Sequence, residues 1–398
     1  FHYKMDQKML NFYAFNSARY EVKKEKWNNL NLEIYYHKGH EYNLDRMMDA
    51  LKKSLAYYSE NFGEYQHKQA RIIEFPRTMG TFAQAFANTM PFSEAIGFIA
   101  DVDSEDPDAV DYPFSVVSHE MAHQWWAHQV IGANVKGATL LSESLSEYSS
   151  LKVLEKEYGK FQMRKFLKDA LDSYLMGRTR EWKEENPLMY NENQQYIHYN
   201  KGSLVLYAMS DYLGEKRFND ILKAYVSQVK FQEAPYTNSI EFVNHLKANT
   251  PANLQYLITD MFETITLYDN KVDKVEVKPL KDGKYQVDIS FIVSKYRTSP
   301  KGTQIYKDAN GKTLVGKDGK KEVNSYPLND YVEVGIFGTK TVKGTHEYEN
   351  ELYNKKYLIN KINNTVSIIV DKKPVEVGVD PYNKLNDRDS NDNRKKVN

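Results

Sequence analysis

Two histidines one helical turn apart have the residue types and the spacing of a metal site. They begin and end the sequence His119-Glu120-Met121-Ala122-His123, and residues four apart on a helix lie on the same face. Both imidazoles can therefore bind one ion, while Glu120 lies beside them and can reach a metal-bound water without being a ligand. A zinc ion held in this way lowers the pKa of its water and polarises a carbonyl group, which is chemistry that promotes hydrolysis.

A third ligand is expected on the following helix. Glu143 comes after His123 with nineteen residues between them, which is enough chain for a helix to end, turn and return antiparallel. Glu147 lies one turn further on the same face, and it is interpreted either as a group that orients a ligand or as a surface charge. The sequence has no cysteine, so a zinc site must use histidine and carboxylate ligands. We expect one zinc ion per chain, bound by His119, His123 and Glu143.

Hydrophobic spacing predicts the elements that would position these residues. A helix is predicted between Asn43 and Gly63, because apolar side chains recur there at helical spacing and the two end residues suit a start and a stop. Pro113 suits the first turn of the helix that carries His119, and the helix with Glu143 is predicted at about residues 140–157. Short apolar runs predict strands at residues 32–36, 71–75 and 95–100.

The pattern changes to alternating strands at about residue 270, with turn signals such as Asp282-Gly283 between them. This predicts a small all-β, sandwich-like domain at residues 270–380, after a mixed domain at 28–265. Residues 1–27 are interpreted as the remnant of an upstream β domain. Residues 381–398 are polar and charged and are predicted to be a disordered tail.

Composition and charge exclude several kinds of partner. The 398 residues include 54 basic and 54 acidic side chains, so a net charge of zero favours neither nucleic acid nor an anionic membrane as a partner. No stretch approaches the eighteen or more apolar residues of a membrane span. The chain begins with Phe1 and shows no signal-peptide pattern, so it is interpreted as a fragment or a processed form.

The segment 119–126, followed by 141–148, resembles the gluzincin zinc aminopeptidases of the aminopeptidase N and leukotriene hydrolase type. Their pattern is H-E-x-x-H, a connection, and then a glutamate within L-N-E-G-F-A-x-Y. This chain has one extra residue in the connection, and it has Ser142 and Ser144 where the family usually has Asn and Gly. The resemblance implies that Glu143 is the counterpart of the family's third metal ligand.

Two further segments carry the resemblance. Tyr199–Gly202 is similar to the family's Y-x-K-G, whose tyrosine donates a hydrogen bond to the tetrahedral oxyanion, a role that suits a phenol. Pro91–Gly97 stands where the family has G-A-M-E-N-x-G, and only Glu94 and Gly97 match. The resemblance implies that Glu94 binds the free α-amino group of a peptide whose backbone pairs with the neighbouring strand.

The resemblance implies an α+β fold, in which a thermolysin-like zinc peptidase domain is followed by the small all-β domain. Peptide bonds would be hydrolysed by promoted-water attack, with Glu120 as the base, Tyr199 at the oxyanion and Glu94 at the peptide's amino terminus. Bacterial variants of this kind place the peptidase after a transporter-like membrane region. For this chain they imply an upstream membrane region and the extracytoplasmic face of a bacterial membrane.

Two alternatives to the aminopeptidase stay open. One is a zinc endopeptidase that needs no free amino terminus. The other is a catalytically weak pseudo-peptidase that serves as a binding or coupling domain of a membrane protein. The sequence does not indicate the oligomeric state or the preferred side chain of the peptide substrate.

Overall fold

The computed structural model describes residues 2, 4–5, 7–103, 109–307, 313–315, 326–343 and 346–397. The chain divides into two compact units. The first consists of residues 1–159 and 213–246, and the second of residues 160–212 and 247–398. The predicted mixed domain at 28–265 therefore draws on both units, whereas the predicted all-β domain lies within the second. Among the described residues, no helix is both long and apolar enough to cross a membrane.

The first unit contains a four-stranded sheet in the order β1-β2-β3-β4. Its strands are β1 (Glu21–Trp27), β2 (Leu30–Tyr36), β3 (Gln69–Phe75) and β4 (Thr89–Ser93). Strand β1 is antiparallel to β2, while β2, β3 and β4 run parallel to one another. The carboxyl ends of these three parallel strands therefore meet at one edge of the sheet.

Helices occur in both units. They are α1 (Leu44–Phe62), α2 (Tyr112–Ala122), α3 (Leu145–Tyr158), α4 (Met163–Arg180), α5 (Gly202–Leu213), α6 (Glu215–Val229), α7 (Ser239–Asn249) and α8 (Gln255–Ile258). The helix predicted between Asn43 and Gly63 is confirmed as α1, and its apolar stripe is buried. Tyr58 on that stripe donates a hydrogen bond of 2.8 Å to the Ser118 carbonyl, which ties α1 to α2.

The strand predicted at residues 95–100 is wrong, because the strand in this region is β4 and it ends at Ser93. The chain turns immediately afterwards, and the Ile99 amide donates to the Glu94 carbonyl at 2.9 Å. Gly97 packs under Phe92 so closely that a Cβ would lie 2.6 Å from the ring. The apolar residues that suggested a strand are thus part of a turn in which Gly97, without a side chain, leaves room for the Phe92 ring.

The boundary predicted at residue 27 is also corrected. Strand β1 pairs with β2 along its whole length, from Glu21 opposite Tyr36 to Trp27 opposite Leu30. The two-residue turn between them places Asn28 at φ 51°, a conformation that asparagine tolerates in hairpins. Strand β1 is mostly charged because it lies at the sheet edge, so it carried no apolar signal that would join it to the peptidase sheet.

The strands of the second unit form two sheets. They are β5 (Thr266–Pro279), β6 (Tyr285–Thr298), β7 (Gln304–Lys307), β8 (Thr313–Val315), β9 (Asp330–Lys343), β10 (His346–Ile359), β11 (Asn363–Val370), β12 (Glu376–Val379) and β13 (Arg394–Lys396). One sheet has the order β10-β9-β12-β13, and the other has β11-β6-β7-β8 with β5 also paired to β6. All these described pairings are antiparallel. The sandwich arrangement and the boundaries at 270 and 380 stay predictions.

The disordered tail predicted at residues 381–398 is wrong for the described residues. Tyr382 is 1% exposed, and β13 pairs with β12. The Lys384 ammonium lies 2.8 Å from Glu333 and 2.8 Å from Asp211. The tail is polar because its side chains pair with other buried polar groups, and composition alone cannot distinguish such groups from solvated ones.

Replacing Lys384 tests this packing. Lys384→Ala is expected to lower the free energy of unfolding by roughly 3 kcal/mol, because Glu333 is left buried without its closest cation. We expect a loss of stability at the low end of the usual range, because the Lys356 ammonium remains 3.8 Å from the Glu333 carboxylate. Urea denaturation measures the change, with the exposed Lys396→Ala as the matched control in the same tail. Equal stabilities of the two variants would contradict a packed tail.

Candidate metal centre

Helix α2 presents the two histidines, and its start is capped by Asp111. The Asp111 carboxylate accepts a hydrogen bond of 3.0 Å from the Phe114 amide, and Pro113 occupies the first turn as predicted. The helix ends at Ala122, but His123 keeps helical backbone angles and its amide donates to the His119 carbonyl at 3.3 Å. The two histidines therefore stay one turn apart.

Two tryptophans hold the chain that follows α2. Trp125 and Trp126 are both 0% exposed, so both indoles pack into the core. The indole of Trp125 donates to the Gly63 carbonyl at 2.8 Å, and that of Trp126 donates to the Ser149 hydroxyl at 2.9 Å. These bonds connect the end of the histidine segment to the end of α1 and to α3.

The predicted ligand atoms converge. The Nε2 atoms of His119 and His123 are 3.0 Å apart, and they lie 3.3 and 3.4 Å from Oε2 of Glu143. Ligands at zinc distances of about 2.0–2.1 Å in a tetrahedron lie about 3.3 Å from one another. The two imidazoles and the carboxylate therefore fit three corners of a tetrahedral zinc site, and they leave the fourth for water or substrate.

The opposite ring nitrogens are held by other partners. Nδ1 of His119 lies 3.0 Å from Oε1 of Glu147. Nδ1 of His123 lies 3.1 Å from the Trp126 carbonyl and 3.1 Å from the Ser146 hydroxyl. Such contacts select the tautomer whose Nε2 is free for a metal. Glu147 had two open interpretations from the sequence, and it contacts the His119 ring. The contact of Ser146 with His123 was not predicted from the sequence.

The electrostatics of the centre favour a cation. Burial opposes ionisation of Glu143, yet the charge of His123 and hydrogen bonds from both histidines hold its pKa well below the usual range. Although burial acts in the other direction, Glu147 and Glu143 hold the pKa of His119 well above its usual value. Burial raises the pKa of Glu120, which is 6% exposed. Three carboxylates around two imidazoles form a donor set that suits a divalent ion.

Glu143 lies on the π-helical turn Leu140–Ser144, immediately before α3. A π-helical turn takes up more residues than an α-helical turn, and such turns are frequent at functional sites. Ideal helical periodicity therefore does not predict which residue here faces His119. The predicted helix at 140–157 is confirmed, with this change in its first turn.

Glu94 follows directly after β4, where its amide donates to the Phe75 carbonyl at 2.9 Å. Its Oε1 atom accepts a hydrogen bond of 3.1 Å from the Arg77 amide. Its Oε2 atom lies 3.9 Å from Nδ1 of His40. The side chain is 17% exposed, so a ligand can still reach it. Its predicted role at a peptide amino terminus stays a prediction.

Tyr199 belongs to the second unit, on the π-helical segment Tyr196–Lys201. Its ring is half-buried and contacts the His198 ring at 4.5 Å between centroids. The fully buried Lys201 lies 3.3 Å from Glu185, which also accepts a hydrogen bond from Arg178. These ion pairs hold the segment in place, and the role of Tyr199 stays a prediction.

Glu147 gives a test of the centre. Glu147→Gln is expected to weaken zinc binding by about tenfold to a hundredfold, because the partner that orients the His119 ring loses its charge. Competition with a chromogenic chelator measures the affinity. The matched control is Glu157→Gln, an exposed position on the same helix. Unchanged affinity in Glu147→Gln would show that Glu147 is only a surface charge.

Comparison with known proteins agrees with this geometry. The chain matches the Peptidase family M1 domain over residues 46–263. It is 26% identical to human endoplasmic reticulum aminopeptidase 2 over 128 residues, which are 30% of this chain and 13% of that protein. It is 27% identical to the probable aminopeptidase 2 of Sulfurisphaera tokodaii over 206 residues, which are 49% of this chain and 26% of that protein. The chain thus spans about a quarter or less of these relatives.

A solved structure extends the likeness in fold. Legionella pneumophila aminopeptidase A, crystallised in complex with aspartic acid, aligns with 92% of this chain and 38% of its own, at a TM-score of 0.55 and 14% identity. An identity this low supports the fold alone. The matched M1 domain includes all three predicted metal ligands and covers more than half of the chain. The chain therefore belongs to peptidase family M1.

Proposed function

We propose that this chain is a zinc-dependent aminopeptidase, which hydrolyses peptide bonds and releases amino-terminal residues. The observation that carries the proposal is the convergence of His119, His123 and Glu143 at tetrahedral spacing within an M1 domain. The names of its relatives support the choice of an aminopeptidase. One zinc ion per chain is expected at this centre.

A zinc ion in the centre would supply Lewis acidity and lower the pKa of water. The side chains do the rest of the chemistry. Glu120 is not one of the three ligands, so its carboxylate is available to take a proton from the attacking water and pass it to the leaving amine. Burial raises its pKa, which makes the ionised carboxylate a stronger base towards the attacking water.

Two further residues act on the substrate in this proposal. Tyr199 donates a hydrogen bond to the oxyanion as its negative charge develops, in accordance with the Y-x-K-G resemblance. Glu94 accepts the α-ammonium group of the peptide, which requires a carboxylate that is both ionised and accessible. The association with an upstream membrane region, and the extracytoplasmic location, stay predictions from the resemblance.

Peptides with free and blocked amino termini test the assignment. The chain is expected to cleave fluorogenic peptides with a free amino terminus and to leave their N-acetylated forms intact. Glu94→Gln is expected to lower kcat/KM on the free-amino peptides by about tenfold to a hundredfold, because a hydrogen bond between two charged groups is lost. Glu60→Gln, on the exposed face of α1, is the matched control.

The other outcomes identify the alternatives. Cleavage of acetylated peptides at a similar rate would favour an endopeptidase and remove Glu94 from its role. Zinc binding without cleavage of any peptide would favour the pseudo-peptidase that serves as a binding domain.

The pH dependence tests Glu120. Activity is expected to fall as the pH drops through the pKa of this base, because only its ionised form accepts a proton. Burial raises that pKa above the usual 4.5, so the acid limb of kcat/KM should lie above pH 4.5. Glu120→Gln should lower kcat by roughly 10²–10⁴-fold with unchanged zinc content. An active Glu120→Gln chain would show that another group is the base.

A further inference from the structure

A second cluster of histidine and glutamate side chains lies at the carboxyl edge of the first unit's sheet. His37 and His40 follow β2, Glu74 is the penultimate residue of β3, and Glu94 follows β4. The three strands are parallel and adjacent in the sheet. Their carboxyl ends therefore bring residues far apart in sequence to one place.

A tight turn directs both histidines towards the sheet. The His40 amide donates to the His37 carbonyl at 3.0 Å. Gly39 between them has φ +97°, a conformation that a residue with a side chain adopts only with strain. Tyr20 supports the cluster, because its hydroxyl donates to the Glu74 carbonyl at 2.8 Å and its ring lies 5.1 Å from the His37 ring.

The two imidazoles approach one carboxylate from both sides. Nδ1 of His37 lies 3.1 Å from Oε2 of Glu74, and Nδ1 of His40 lies 2.5 Å from Oε1. These ligand atoms all lie within 4.8 Å of one another. A second carboxylate is close, because Oε2 of Glu94 is 3.9 Å from Nδ1 of His40. The cluster thus has two nitrogen and two oxygen donors.

Charge and access make this cluster fit for a cation. The Glu74 side chain is 0% exposed, and a buried carboxylate requires compensation. Among the described residues its carboxylate contacts the His37 amide and the two imidazoles, with no lysine or arginine within ion-pair distance. The side chains of His37 and His40 are 34% and 29% exposed, so an ion can enter from solvent.

We propose that His37, His40, Glu74 and Glu94 form a second binding site for a divalent transition-metal ion, distinct from the centre at His119. Two imidazoles and two carboxylates are donors that zinc binds readily, and cobalt can replace it as a probe. The entering ion takes the place of the proton that lies between the His40 imidazole and the Glu74 carboxylate, and that proton is released to solvent. The ion's positive charge then offsets the buried negative charge of Glu74.

The site has a consequence for catalysis that rests on the proposed function. Glu94 cannot hold a metal ion and the α-ammonium group of a peptide with the same oxygen atom. Occupancy of the second site therefore competes with binding of the peptide's amino terminus. Zinc beyond one equivalent is expected to raise KM for free-amino peptides, while metal binding itself is measured without any substrate.

Metal content in variants tests the site directly. The full chain is dialysed against micromolar zinc, and bound zinc is measured by mass spectrometry. The unsubstituted chain is expected to bind two equivalents and Glu143→Ala one, while the double variant Glu143→Ala with His40→Ala should bind none. His2→Ala, which removes an exposed histidine from the Glu143→Ala chain, is the matched control. Equal zinc content with and without His40→Ala would overturn the proposal.

Two measurements keep the test decisive if His40→Ala fails to fold. The milder His37→Asn, in the Glu143→Ala chain, should weaken cobalt binding at least tenfold in an absorption titration. Anomalous scattering from zinc-soaked crystals of the unsubstituted chain should give a peak between His37 and His40. A peak only at His119 and His123 would overturn the second site. A chain with one zinc ion, at His119 and His123, and no peptidase activity would instead overturn the proposed function.

Discussion

Negative charge held close to two imidazoles is the constraint on which the first unit depends. Glu143 and Glu147 contact opposite nitrogens of the His119 ring, and Glu120 is buried next to it in the sequence. Burial raises the pKa of Glu120, and the charges of the two other glutamates add to that effect. A divalent ion between the two Nε2 atoms would offset this repulsion, so metal binding and the stability of this region are coupled.

The surrounding structure limits the movement of these groups. Asp111 caps the start of α2, Tyr58 bonds to its backbone, and two buried indoles hold the chain beyond its end. Trp125 bonds to Gly63 at the end of α1, and Trp126 bonds to Ser149 on α3, the helix that directly follows the turn with Glu143. A rigid frame of this kind is what a site needs when small displacements weaken metal binding.

The carboxyl edge of the sheet is the second place where side chains able to bind a ligand lie close together. Loops after parallel strands emerge on the same side, which makes such edges common binding sites. Glu94 stands there with one oxygen on the Arg77 amide and the other facing His40. The same carboxylate is thus available to a peptide amino terminus and to a metal ion. A family resemblance in the segment Pro91–Gly97 indicates only the first of these partners.

The sequence by itself determined the arrangement of site residues that are close together along the chain. His119 and His123 lie one helical turn apart, so helical periodicity places them on one face. The same periodicity places Glu120 beside them. Tertiary structure decided what depends on distant contacts. The pairing of Glu74 with His37 requires the register of parallel strands. The burial of the polar tail requires Glu333 to meet Lys384. Local spacing cannot encode either, because the free energy of burying a charge depends on a partner that only the folded chain brings near.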